Sequence, residues 1–381
     1  MDPPGVGDRA ERGVAVAQAG ELRSARLESL RAIAALAVLE GHVYGSSVGY
    51  GSRAYDSWWH RTLLGGGFGV YLFFALTGYL LYLPFVREGF GGGRPVDVLR
   101  YARNRALRIL PLYYAVAITY LAVFHQPANV WATFLLFGEN FRASTVGQVD
   151  GPMWSLVVEI LFYVLLPFLA AAVARVSRRS LARAAAVLSL LGGAGGVYRW
   201  VGYLHAPHPG PLVQYNLPAN FYFFVPGMLL ALAKVSAEAR GNLRLPGLRG
   251  SGWTWLVGAA VCWALVFDHY NWDLLCGIGA ALVVGACVLP RSASAPVRAL
   301  ELRPLAGLGI ASYSLYLWHL PIVTAMAPVS VGGFLGHLAL DSAICVSVAV
   351  LSYRLIEAPF LKLRRRWGDT ASGSLIPAPA P

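Results

Sequence analysis

The sequence predicts an all-α protein that crosses a membrane several times. Three observations carry this prediction. Hydrophobic residues make up 57% of the 381 residues and charged residues only 13%, whereas a soluble protein has roughly 25% charged residues. Mean hydropathy is +0.55. Apolar runs of about 20 residues, the length that spans a bilayer, recur along the chain. Only helices or closed barrels satisfy their backbone in hydrocarbon, and these runs are too long for barrel strands.

The apolar runs predict a bundle of about ten transmembrane helices. Each run is long enough, or nearly long enough, to cross the hydrocarbon layer as a helix. A further apolar segment, residues 130–138, is too short to span and is expected at the interface or as a re-entrant piece. The predicted spans are 28–47, 66–87, 107–125, 154–174, 184–202, 219–236, 253–268, 272–290, 307–327 and 334–356.

The basic residues predict the orientation. The net charge is +12, and with ten spans 27 of the 31 lysines and arginines fall on one side of the membrane. Cytoplasmic loops carry such an excess of basic residues. Both ends of the chain are therefore expected in the cytoplasm. Because this asymmetry accounts for the positive charge, no nucleic-acid partner is needed to explain it.

The spans divide the chain into three regions. Residues 1–27 are predicted to be a cytoplasmic tail, 28–357 the transmembrane domain, and 358–381 a basic cytoplasmic tail whose end is disordered. No cleavable signal peptide is expected, so the first span would start insertion.

The cysteines lie in apolar runs without metal-ligand spacing, so packing roles and no bound metal are expected. They are Cys262, Cys276, Cys287 and Cys345.

Two ionisable groups inside predicted spans indicate a functional site. His42 follows Arg31 by 11 residues, which places it roughly 16 Å into the membrane on a helix that rises 1.5 Å per residue. An ionisable group at such depth is costly and suggests function, although a neutral histidine that joins two helices remains the alternative. Glu159 lies inside the fourth span and also needs a partner, which an imidazole would supply.

Other residues in or near the predicted spans have both a structural and a functional interpretation. Arg105 and Arg108 are spaced i, i+3 on one helix face, where two guanidinium groups would grip phosphates; ordinary basic flanking of a span is the alternative. His319 lies near the middle of the ninth span, either as a contact between helices or as a substrate contact. The small pair Thr77-Gly78 favours a close approach of helices.

Seven motifs in order resemble the acyltransferase 3 family of integral membrane O-acyltransferases. The resemblance covers residues 24–366, nearly the whole chain, and the seven together are highly specific. The motifs are RLESLRAIAALAVLEGH, GVYLFFALTGYLL, RNRALRILPLYY, WSLVVEILFYVLLP, FYFFVPGMLLA, SYSLYLWHLPI and LSYRLIEAPFLKL. Two positions depart from the family pattern, namely Glu28 where an aspartate is common and Glu40 where an apolar or aromatic residue is usual.

The resemblance implies an enzyme of the bacterial inner membrane. Such an enzyme transfers an acyl group, with acetyl expected, from acyl-CoA to a hydroxyl of a carbohydrate or a glycosylated natural product. Carried over by position, His42 is the catalytic base and the donor site contains Arg31, Arg105 and Arg108. Some relatives carry a fused extracytoplasmic domain. The sequence given has none, so transfer is expected to finish within the bundle.

The residues themselves suggest how the reaction would proceed. An imidazole suits the removal of a hydroxyl proton near neutral pH. We expect Glu159 to orient His42, as the third group does in a catalytic triad. Trp154, Tyr163 and His319 are expected to contact the acceptor. The alternatives are a transporter or flippase for a glycosylated or acylated metabolite, in which the buried groups form a path, and a non-catalytic scaffold.

Overall fold

The computed structural model describes residues 6–48, 57–142, 144–146, 150–205, 210–240, 252–268, 274–290 and 293–366. Within these ranges the chain forms helices and no strand, so the predicted all-α class is confirmed. The end of the C-terminal tail, residues 367–381, was predicted to be disordered and lies outside the described residues.

Helices of very different length follow one another along the described chain. Short 3₁₀ turns at Gly65–Phe68 and Glu139–Phe141 and one π-helical segment at Tyr353–Glu357 interrupt the α-helices. The α-helices are α1 Val6–Val48, α2 Trp58–Leu64, α3 Gly69–Phe90, α4 Val98–Val123, α5 Ala128–Leu135, α6 Met153–Val176, α7 Leu181–His205, α8 Pro211–Gln214, α9 Leu217–Arg240, α10 Trp253–Asp268, α11 Leu274–Val288, α12 Ala295–Ala299, α13 Arg303–Ile310, α14 Ser312–Met326, α15 Gly333–Ser352 and α16 Ala358–Arg366.

Six stretches of helix in the described chain are long and apolar enough to cross a membrane. They are Gly69–Phe90, Val98–Val123, Met153–Val176, Leu181–His205, Leu217–Ala239 and Gly333–Leu363. The multi-span fold is thus supported, while the count of ten and the orientation stay predictions.

The four other predicted spans differ from single long apolar helices. The first lies inside α1, which begins well before the predicted tail boundary at residue 28. The seventh and eighth correspond to the shorter apolar helices α10 and α11. The ninth is broken at Ala311 into α13 and α14. The segment expected at the interface forms α5, which is too short to span.

Helices α3 and α9 cross at close range in the core. A Cβ atom added to Gly227 would lie 2.0 Å from the carbonyl oxygen of Ala75, and one added to Gly78 would lie 2.3 Å from that of Phe224. The two backbones therefore touch, as small residues allow in membrane proteins. Beside them, the rings of Phe74 and Phe224 stack at 4.6 Å. The predicted close approach at Gly78 is confirmed.

Two irregular backbone segments lie in the helices around one cavity. The break at Ala311 sets the start of α14 beside the cavity wall. Just before this break, Gly309 packs directly against α1, because a Cβ atom added to it would lie 1.9 Å from the carbonyl oxygen of Glu28. The π-helical segment after α15 buries Glu357. Single π turns occur frequently at functional sites.

Candidate active site

A cavity opens between α1, α3, α4, α6 and α14. It encloses about 780 Å³ of atom-free space, its open mouth included. One part of the wall is apolar and comes mainly from α3, while the rest carries charged and hydroxyl side chains. The lining residues are Arg31, Val70, Phe73, Phe74, Thr77, Leu80, Leu81, Arg105, Arg108, Ile109, Ser155, Leu156, Glu159, Tyr163, Ser312, Tyr313 and Tyr316.

Three arginines predicted to bind the donor share this cavity. The i, i+3 spacing places Arg105 and Arg108 on one face of α4, and Arg31 joins them from α1. The guanidinium group of Arg105 lies close enough to those of Arg31 and Arg108 for the like charges to repel. The Nε atom of Arg105 has no hydrogen-bond partner within the described residues. Clustered guanidinium groups with a remaining donor favour an anion such as a phosphate.

Carboxylates balance the arginine cluster. Arg31 forms an ion pair with Glu28, with Nη1 and Oε1 separated by 3.1 Å. Glu28 also attracts Arg108, together with Glu357. Glu357 is 2% exposed and accepts a 2.6 Å hydrogen bond from the hydroxyl of Ser314. The wall therefore holds the arginines in place through buried charge partners.

Glu159 belongs to the arginine end of the cavity. It accepts hydrogen bonds from the hydroxyls of Thr77 and Tyr163, and it attracts Arg31 and Arg105. The predicted contact between Glu159 and His42 is therefore wrong. The physical reason is depth, because Glu159 lies with Arg31 whereas His42 is roughly 16 Å farther along α1.

The partner of His42 is a second histidine. The Nδ1 atom of His42 lies 2.8 Å from the carbonyl oxygen of Val38 and 3.2 Å from Nε2 of His319. The two ring centroids are 4.9 Å apart. His319 in turn places Nδ1 2.6 Å from the carbonyl oxygen of Tyr316. The pair joins α1 to α14 through a chain of hydrogen bonds.

Tyr316 connects the histidine pair with the cavity. Its side chain lines the cavity wall, and its ring centroid lies 5.7 Å from that of His319. His42 and His319 are not among the described lining residues. The predicted base is therefore connected to the lining residue Tyr316 through His319.

The two aromatic residues predicted to contact the acceptor lie in different surroundings. Tyr163 lines the cavity next to Glu159. Trp154 is absent from the described lining and packs its ring 5.1 Å from Tyr215 and 6.2 Å from Phe74. Trp154 therefore contributes packing in this structure. The roles of both residues toward an acceptor stay predictions.

The structure adds cavity residues that the sequence reasoning missed as functional candidates. Ser155 and Tyr316 share a 2.7 Å hydrogen bond between their hydroxyls, and Tyr316 also donates to the carbonyl oxygen of Pro152 at 3.1 Å. Ser155 lies four residues before Glu159, hence on the same helix face. That spacing could have identified Ser155, and Tyr316 lies similarly one turn before His319.

Glu40 is not among the described residues that line the cavity with the arginines. Its Oε2 would lie 2.7 Å from a Cβ atom added to Gly66, and its Oε1 is buried with no hydrogen-bond partner within the described residues.

In the part of the chain that the structure describes, no group of three or more His, Cys, Asp or Glu side chains could hold a metal ion. No disulfide joins the four cysteines, which all lie in described helices.

The chain matches the profile of a known family over most of its length. The family is described as an acyltransferase domain, and the match covers residues 24–354. This range contains six of the seven motifs noted in the sequence and the start of the last one.

Curated relatives are similar at low identity. A provisionally named peptidoglycan O-acetyltransferase of Bacillus subtilis is 27% identical over 87% of this chain and 54% of its own length. Nodulation protein 10 of Rhizobium leguminosarum is 25% identical over 80% of this chain and 85% of its own. The peptidoglycan O-acetyltransferase OatA of Listeria monocytogenes is 24% identical over 88% of this chain and 55% of its own length.

The matches cover most of this chain but different shares of its relatives. The chain spans about half the length of the two peptidoglycan O-acetyltransferases. No solved structure matches the chain. Because the family profile covers most of the 381 residues, the protein belongs to the acyltransferase 3 family, as its motifs predict.

Proposed function

We propose that the protein is an integral membrane O-acyltransferase that transfers an acyl group, acetyl first of all, from acyl-CoA to a hydroxyl of a carbohydrate or a glycosylated natural product. One observation carries the proposal. A single cavity holds three arginines at one end and approaches the histidine pair through Tyr316. The peptidoglycan O-acetyltransferases among the relatives support a carbohydrate acceptor.

The arginine end would bind the donor. Coenzyme A carries several phosphates, and the guanidinium groups of Arg31, Arg105 and Arg108 supply charged, forked donors for them. The apolar wall of α3, with Phe73 and Phe74, would lie against the pantetheine arm. This arm must bridge roughly 16 Å, the rise of α1 between Arg31 and His42, and its extended length is of that order.

The histidine end would carry out the reaction. His42 takes the proton of the acceptor hydroxyl while its oxygen attacks the thioester carbonyl carbon. The carbon–sulfur bond then breaks, and the leaving thiolate takes the proton from the imidazolium. The products are the acyl ester and free coenzyme A, with no net gain or loss of protons. Such general acid–base catalysis contributes typically 10²–10⁴-fold to a rate.

The topology follows the distribution of charge. Ten spans with both ends in the cytoplasm place 27 of 31 basic residues on the inner side of a bacterial inner membrane. The arginines of the cavity belong to these. The mouth of the donor site would then face the compartment that supplies acyl-CoA.

An acceptor-dependent transfer assay tests the proposal. Protein in lipid nanodiscs is incubated with radiolabelled acetyl-CoA, and the release of coenzyme A is measured with and without muropeptide, sugar and glycosylated macrolide acceptors. We expect release that depends on an acceptor and label on that acceptor in wild type. His42→Ala should bind acetyl-CoA but release no coenzyme A.

His205→Ala is the matched control. His205 ends α7, is exposed, and makes the same type of bond as His42, with Nδ1 2.8 Å from the carbonyl oxygen of Val201. It should behave as wild type. Equal transfer by wild type and His42→Ala would remove His42 from the mechanism. Movement of a metabolite across the membrane without transfer would instead favour a transporter.

A further inference from the structure

The hydrogen bonds of His319 determine which of its nitrogens carries a proton. Nδ1 lies 2.6 Å from the carbonyl oxygen of Tyr316. A carbonyl oxygen only accepts hydrogen bonds, so Nδ1 must donate and therefore carries hydrogen. In a neutral imidazole the other nitrogen, Nε2, then has a free lone pair and accepts. His319 is 1% exposed, and burial at this level disfavours a charged ring without a charged partner.

The same reasoning assigns the proton on His42. Its Nδ1 is 2.8 Å from the carbonyl oxygen of Val38 and 3.2 Å from the accepting Nε2 of His319. Both neighbours accept, so Nδ1 of His42 carries hydrogen and shares it between them. Nε2 of His42 is then the nitrogen with a lone pair, and within the described residues both hydrogen bonds of the His42 ring involve Nδ1 instead.

We propose that His319 is the positioning residue of His42: it accepts the hydrogen bond from Nδ1 of His42 and thereby leaves Nε2 as the atom that takes the proton. This inference rests on the proposed function, in which His42 is the base. His319 also stabilises the imidazolium that forms, because the bond from Nδ1 strengthens when its donor becomes charged. In a catalytic triad a carboxylate has this role; here a neutral imidazole takes it.

This assignment gives His319 a role other than the acceptor contact expected from the sequence. Within the described residues, His319 is linked to the cavity lining through the backbone and ring of Tyr316. Helix α15 contacts its backbone, where Sγ of Cys345 lies 3.9 Å from the carbonyl oxygen of His319. A contact with substrate would require an open nitrogen, yet both nitrogens of His319 are engaged by protein groups.

Nitrogen NMR of the resting protein tests the proton assignment without any turnover. Protein labelled with ¹⁵N-histidine is measured in nanodiscs at neutral pH, and the signals of His42 among the eight histidines are identified by their loss in His42→Ala. We expect a protonated Nδ1 and an unprotonated Nε2. A protonated Nε2 would overturn the proposal whether or not the protein transfers acyl groups.

Kinetics of three variants test the positioning role. His319→Ala should lower kcat about ten- to hundredfold, since a hydrogen bond to a charged group is lost, with KM for acetyl-CoA unchanged. His319→Gln should recover most of this loss, because its amide oxygen can replace Nε2 as acceptor. His319→Asn is too short to reach His42 and should stay low.

The outcomes separate the two proposals. Full kcat in His319→Ala, or equal loss in the Gln and Asn variants, overturns the positioning role while the transferase activity stands. Absence of transfer in wild type with every acceptor rejects the proposed function, and the inference with it, although the proton assignment is still measured by NMR.

Discussion

The two ends of the site differ in how they hold their functional groups. At the arginine end, three guanidinium groups are balanced by the carboxylates of Glu28, Glu159 and Glu357. At the histidine end, two imidazoles are held by backbone carbonyls and by each other. Charge–charge partners suit a site that must bind an anion, whereas neutral partners suit a group that must gain and lose a proton.

In the proposed function, this difference separates donor binding from chemistry along α1. The two ends are roughly 16 Å apart by helix rise, and Tyr316 stands between them. Substitutions at the arginine end should therefore change KM for the donor, and substitutions at the histidine end should change kcat. The following predictions break or sharpen that division.

The largest effect is expected from the α4 arginines. Arg105→Ala or Arg108→Ala should raise KM for acetyl-CoA about ten- to hundredfold, because each removes a charge-assisted hydrogen bond to phosphate. kcat at saturating donor should stay within about threefold of wild type. Steady-state kinetics over a wide donor concentration range measure both constants.

The control for the arginines lies on the surface. Arg183→Ala removes an exposed arginine of α7 and should leave both constants unchanged. A fall of kcat without a change of KM in the α4 variants would contradict the division between the two ends.

An intermediate effect is expected at the α3–α9 crossing, which supports both ends. Gly227→Ala adds a Cβ atom 2.0 Å from the carbonyl oxygen of Ala75, and such overpacking costs about 1–3 kcal/mol of folding free energy. We expect a lower melting temperature in nanodiscs. Activity should fall in proportion to the folded fraction, with KM unchanged. Gly193→Ala on α7, where nothing lies within 4 Å, should melt as wild type, and equal melting of both variants would refute the crossing.

A smaller effect is expected at Thr77. Thr77→Val keeps the shape but removes the hydroxyl that donates to Glu159. The carboxylate then lacks one of its two hydroxyl partners, a loss of about 0.7–1.4 kcal/mol that should change KM about three- to tenfold with little effect on kcat. Thr119→Val is the control, since its hydroxyl bonds only to the exposed backbone of its own helix, at the carbonyl oxygen of Ala115. A drop in kcat alone would place Glu159 at the histidine end after all.

The smallest effect is expected at Tyr316. Tyr316→Phe removes the hydroxyl bonded to Ser155 and Pro152 but keeps the ring and the carbonyl group that receives the bond from His319. We expect kcat and KM to stay within about threefold of wild type, because one neutral hydrogen bond makes only a small net contribution to the free energy. A tenfold or larger fall of kcat would show that the hydroxyl itself takes part in the reaction.

Spacing within a helix predicted more of the site than relations between helices did. The i, i+3 pair Arg105 and Arg108 does face one cavity, together with Arg31. The partner of His42 was mistaken, because spacing along a helix fixes a face and a depth but not which neighbour packs there. The break at Ala311 was also missed, since hydropathy does not distinguish one rod from two shorter helices.

The charge partners of Arg108 set a condition on how the chain is made. Proteins are synthesised from the N-terminus, so Glu28 is already present when α4 leaves the ribosome, whereas Glu357 follows only near the end of the chain. Arginine is costly to insert into hydrocarbon. We therefore expect the first turns of α4 to remain at the membrane surface or in the insertion machinery until α15 and the π-helical segment supply Glu357. Closure of the proposed donor site is thus expected among the last events of biogenesis, and a nascent chain that stops before residue 357 should be a substrate for quality-control proteases.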